Sequence, residues 1–77
     1  MNNQRRKELD NWMKKLDDLK EELDQIATDE QDSLYNLPEN LQNSQRGDAI
    51  QDAADKLNDA LDLFDNIVDY VEDAIYG

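Results

Sequence analysis

The stretch that decides the fold is DAIQDAADKLNDALDLFDNIVDYVED, Asp48 to Asp73. Two sets of residues interleave on it. Ile50, Ala53, Leu57, Ala60, Phe64, Ile67 and Val71, continued by Ala74, recur every three to four residues. Asp48, Asp52, Asp55, Asp59, Asp62, Asp69 and Asp73 recur in the same way but out of phase. With Ile50 at heptad position a, the apolar set falls at a and d and every one of these carboxylates at c or f. That is the signature of an amphipathic helix with one face for packing and another bearing negative charge. Ala54, Leu61, Val68 and Ile75 at e, with Leu63 and Tyr70 at g, widen the apolar arc beyond what one partner helix covers.

Working toward the N-terminus, NLPENLQNSQRG (36–47) interrupts the pattern. Pro38 cannot continue a preceding helix and biases Leu37 toward extended backbone, although it can open one new turn through Leu41. Helix two has two candidate starts: Ser44 as N-cap, which is favoured, or Asp48, whose spacing to Gln51 is that of a capping box. Upstream, Leu9, Trp12, Leu16, Leu19, Leu23 and Ile26 alternate by three and four through nearly three heptads. Met13 and Ala27 widen this stripe, and neither Gly nor Pro occurs before Pro38. The expected organisation is one domain over 1–77: a helix over about 3–35, a connection over 36–44 and a helix over about 45–75. The expected fold is all-α, an antiparallel two-helix hairpin assembling into a dimeric four-helix bundle. The interface residues named by this reading are Leu61, Leu63, Val68, Tyr70 and Ile75, with Tyr76 a further candidate. Trp12 at d reads first as core and second as a partner anchor, and Tyr35 as a cover for the hairpin end.

Composition bounds the chemistry. In 77 residues there are 20 acids against 8 bases, a net charge of −12, with no cysteine and no histidine. Disulfides and zinc-thiolate sites are excluded, and the commonest general base and metal ligand is missing. Such polarity is also compatible with disorder, but the sustained apolar period argues against it. No run approaches the roughly 18 apolar residues of a membrane span, and Glu8 and Asp10 follow the basic start where a signal peptide needs an apolar core. A cytoplasmic protein is the expectation. Nucleic acid and anionic membrane, being polyanions, are disfavoured as direct partners. A basic protein surface is favoured.

The charge is uneven. Residues 1–20 hold six bases and four acids; residues 21–43 hold seven acids and no base; residues 44–77 hold nine acids against Arg46 and Lys56. An antiparallel fold-back therefore predicts that the basic start of helix one lies beside Asp69, Glu72 and Asp73.

The segment from Tyr35 to about Ala60 resembles a set of small acidic proteins of phages and mobile elements of Gram-positive bacteria. Those proteins carry two acidic helices around a segment of the form [LM]PENLQ-x-S-x-R-G. The matching residues are Leu37, Pro38, Glu39, Asn40, Leu41, Gln42, Ser44, Arg46 and Gly47. The resemblance covers roughly the C-terminal two thirds of the chain. It implies a mobile-element origin rather than a reaction.

No catalytic residue, cofactor or metal site is expected. An acid and base pair needs environments that drive two pKa values apart, which a row of solvated carboxylates does not supply. The cluster Asp29, Glu30 and Asp32 lacks the ligand spacing and glycine of a calcium loop. Three readings of the aspartate ladder remain. It is a solubilising face, a mimic of nucleic-acid phosphates that inhibits or regulates a basic host protein, or a docking face for a basic protein unrelated to DNA. Mimicry is suggested by a charge about every 5 Å of helix axis against about 3.4 Å per phosphate of one DNA strand. Helix two also uses eight Asp and one Glu, although Glu is the better helix former. The competing class is a structural assembly module. Glu39 and Arg46 in the connection read as a capped turn or a recognition tip, and Arg46 should pair with a neighbouring acid in either case.

Overall fold

The computed structural model describes all residues, 1–77, and contains three helices: α1 (Asn3–Tyr35), α2 (Glu39–Gln42) and α3 (Gln45–Tyr76). There is no strand. Each long helix begins where a polar side chain meets an unpaired backbone donor. Asn2 Oδ1 accepts from the Arg5 N–H at 2.8 Å, and Ser44 Oγ accepts from the Gly47 N–H at 3.4 Å, so Ser44 rather than Asp48 caps α3. Gln51, instead of closing a capping box on Asp48, donates to Asp55 at 2.8 Å.

The connection is a single helical turn, as Pro38 permits. Leu41 N–H reaches back to the Pro38 carbonyl at 2.8 Å, and Ser44 N–H to that of Leu41 at 3.1 Å. The Gln42 side chain donates to the Leu37 carbonyl at 3.1 Å, tying the turn to the end of α1. Gly47 is buried where α2 meets the first turn of α3: an added Cβ would stand 2.0 Å from the carbonyl oxygen of Gln42. Only a residue without a side chain allows that approach.

α1 and α3 lie side by side in opposite directions. Lys20 Nζ donates to Asp65 Oδ1 at 2.8 Å, and eleven residues further along α1 Gln31 donates to Gln51, fourteen residues earlier in α3, at 3.3 Å. Ala27 of α1 and Ala54 of α3 are both buried in the seam between them. The molecule is a plate one helix thick, with principal extents of 59 × 17 × 11 Å and a radius of gyration of 17.6 Å; a compact chain of this length has about 11–12 Å.

The seam does not use the rows that periodicity favoured. With Leu9 at a on α1, the sheltered residues are Leu9, Leu16 and Leu23 at a, and Met13, Lys20, Ala27 and Leu34 at e. On α3 they are Ile50, Leu57, Phe64 and Val71 at a, and Ala54, Leu61, Val68 and Ile75 at e, with Ala53 and Ala60 half-buried beside them. The d row is turned outward on α1, where Trp12, Leu19 and Ile26 are exposed, and on the later half of α3, where Ile67 and Ala74 are exposed. Three apolar rows compete for a seam with room for two. The a and e rows win where the e row offers Ala27 and Ala54, and where Lys20 at e reaches a carboxylate across the seam.

Three expectations are thereby corrected. Ile75, expected at an interface between copies, packs within the chain at only 5 % exposure, while Leu61 and Val68 are half-buried. Trp12, expected in the core, is 43 % exposed. Arg5, Arg6 and Lys7 make no ion pair with Asp69, Glu72 or Asp73. The register that sets Lys20 against Asp65 carries the first two turns of α1 past the last residues of α3.

Candidate functional site

The carboxylates at c and f line the outer edge of α3. Asp48, Asp52, Asp55, Asp59, Asp62, Asp69 and Asp73 are all exposed. Two of the seven have a side-chain partner: Asp52 binds Lys56 at 2.9 Å, and Asp55 accepts from Gln51 at 2.8 Å. Alternating spacings of three and four keep the row on one edge, and Asn66 stands where the repeat would place another acid. Lys56 is the only base at the middle of this edge, and its ammonium is held above the ordinary 10.5 by the hydrogen bond and charge of Asp52.

A second acidic feature comes from α1. Asp17, Lys20, Glu21 and Asp24, with Leu61 from α3, surround a shallow concavity of about 340 Å³. Lys20 lines it with its pKa raised, chiefly by the Asp65 hydrogen bond and charge and further by Asp17 and Asp24. The lysine is therefore committed as a cation, and the three carboxylates around it leave a net negative patch. No group of three or more acids here or elsewhere is arranged to hold a metal ion.

The connection residues do not converge on a site. Glu39 opens α2, where a carboxylate suits the positive end of a helix. Arg46 is exposed in the first turn of α3 and makes no ion pair. The positions four residues away on the helix face are Gln42 and Ile50, so the expected acidic neighbour is missing.

Several large apolar residues are exposed on both long helices. Successive helical residues are about 100° apart, so d lies about 80° to one side of an a/e seam and b about 80° to the other. In an antiparallel pair, rotations of the same sense lead to the same side of the plate. Trp12, Leu19 and Ile26 of α1 therefore share one broad face with Ile67, Leu63 and Tyr70 of α3. Lys20–Asp65 and Gln31–Gln51, involving b and e positions, bridge the seam on the opposite face. A concavity of about 390 Å³ formed by Met1, Arg5, Glu8, Leu9 and Trp12 lies at one end of the apolar face. The available signal was size: the d row of α1 carries Trp, Leu and Ile, while its e row carries Lys and Ala.

Comparison of the chain with protein-family models, with curated proteins and with solved structures finds no match. No helix is long and apolar enough to cross a membrane.

Proposed function

We propose that this chain is a non-enzymatic binding protein of phage or mobile-element origin. It is a helical hairpin that pairs into a four-helix bundle and presents the carboxylate edge of α3 to a basic protein surface. The observation that carries the reading is the exposure of all seven ladder carboxylates along one edge, where Lys56 is the only ion-pairing base. Negative charge held in a row by a long helix raises the local potential, steers a cationic partner and competes with nucleic acid for it. Inhibition or regulation of a basic host protein is the consequence, with Asp48, Asp52, Asp55, Asp59 and Asp62 as the principal contacts.

The test is affinity capture from a bacterial lysate at low and then high salt, with elution by duplex DNA. Basic, DNA-displaceable proteins should be retained at low salt and lost when Asp52, Asp55 and Asp59 are changed together to Asn. Recovery of the chain alone would overturn the reading. The open apolar face favours a second role, as an assembly module whose acids serve solubility; its self-association should then persist at high salt.

A further inference from the structure

We infer that the open apolar face is the contact surface for a second copy of this chain, docked antiparallel about a two-fold axis at the level of Leu19 and Asp65. This rests on the dimeric reading above and adds the face, the orientation and the partner of each side chain.

The first observation is symmetry in the spacing. On α1 the exposed apolar residues are Trp12, Leu19 and Ile26, 43 %, 54 % and 57 % exposed, evenly placed about Leu19. On α3, Leu63 and Ile67 flank Asp65, and Ala60 and Tyr70 flank it at the next step out. The Lys20–Asp65 bond puts the two centres at one level. A face that is symmetric about one level on both helices is self-complementary, as an isologous two-fold contact requires. Rotation about that level stacks α1 on α1 and α3 on α3. Leu19 then meets Leu19, Trp12 meets Ile26, Leu63 meets Ile67, and the large Tyr70 covers the small Ala60 of the second copy.

The second observation is area. The chain exposes 5997 Å², against about 4,900 Å² for a compact monomer of its mass, an excess of about 1,100 Å². One partner in a standard interface contributes about 600–1,000 Å². The seam leaves no large side chain fully buried, so a second layer supplies the core that one hairpin lacks.

The third is charge, which chooses the orientation. A parallel two-fold would stack α1 on α3, with Leu19 beside Ile67 and Trp12 beside Ala74. The half of the plate nearer the chain ends, 1–20 with 65–77, holds eight acids and six bases; the half nearer α2, 21–64, holds twelve acids and two bases. Parallel docking puts the two strongly acidic halves together, whereas antiparallel docking sets each against the nearly balanced half of its partner. It also brings Lys15 to Glu22 of the second copy along the interface edge. Glu8 falls near Asp29 there, with Arg5 one turn away.

The chain has no cysteine, so single cysteines report proximity cleanly. With copper phenanthroline as oxidant, Leu19→Cys should give a disulfide-linked dimer, and a mixture of Trp12→Cys with Ile26→Cys a mixed one. A dimer in sedimentation equilibrium that fails to link through Leu19→Cys alone but links Leu19→Cys to Ile67→Cys would overturn the antiparallel arrangement and leave the dimeric reading standing. A monomer at all concentrations up to the millimolar range would overturn both. The unsubstituted chain supplies an independent readout: Trp12 emission should move to the red as dilution separates the copies, and an emission that stays fixed through dissociation would remove Trp12 from the interface and the proposal with it. Leu19→Asp, which sets two carboxylates face to face on the axis, should raise the dissociation constant by roughly 100-fold or more.

Discussion

Gly47 and the carbonyl of Gln42 are in backbone contact: a Cβ on Gly47 would lie 2.0 Å from that oxygen and 2.6 Å from its carbon. Gly47→Ala therefore sets two effects against each other. The helical preference of alanine favours the variant by about 1 kcal/mol, less in a first turn. Displacing α2 from α3 costs about 1–3 kcal/mol or more, since the obstacle is backbone and cannot rotate away. The clash wins, and thermal unfolding should show a midpoint lower by several degrees. A midpoint equal to or above that of the unsubstituted chain would mean that α2 is not seated on α3.

Ala54 has no exposed surface, and Ala27 on the facing helix is buried as well. Ala54→Leu should force the helices apart at a cost of about 1–3 kcal/mol, whereas Ala49→Leu on the exposed side of the same helix should stay within about 0.5 kcal/mol. Urea unfolding of the two variants separates these outcomes. Equal stability would place the closest approach of α1 and α3 elsewhere.

The Lys20–Asp65 bridge predicts a direction with pH. The bridge holds the Lys20 ammonium above its ordinary 10.5, so its stabilisation is complete below the unfolded lysine value and fades as pH rises through the higher folded one. Melting of the native chain and of Asp65→Asn should differ by a small, constant amount from neutral pH to about 9, and the difference should shrink as pH rises beyond the ordinary lysine value of 10.5. Because both partners are partly solvated, with 38 % and 69 % of their side chains exposed, added salt should shrink it as well. A gap that widens in alkali would contradict the assignment.

Arg46 makes no ion pair, so Arg46→Ala should leave the melting midpoint within the change expected of about 0.5 kcal/mol. A large drop would reveal a contact with an acid that forms in solution.

Much of the architecture could be read from local chemistry. A capping serine, a proline that allows one turn, and apolar periods near 3.5 are short-range signals, and α1, α2 and α3 lie where those signals place them. The carboxylate edge was legible for the same reason: charges at c and f lie opposite the seam whichever adjacent apolar rows form it. The seam itself was not legible. Hydropathy ranks a, d and e alike, but α1 and α3 have room to bury two rows against each other.

The sequence by itself determined that this chain forms two long amphipathic helices around a capped turn, because helix formation, capping and chain reversal depend on residues a few positions apart. Only the tertiary structure decided which rows meet, because that choice is made between residues 20 to 45 positions apart. Gln31 against Gln51 and Lys20 against Asp65 mark the register, and Ala27 and Ala54 are buried in the seam it forms. The same register buried Ile75, left Leu61 and Val68 half-buried, and turned Trp12, Leu19 and Ile26 to the surface.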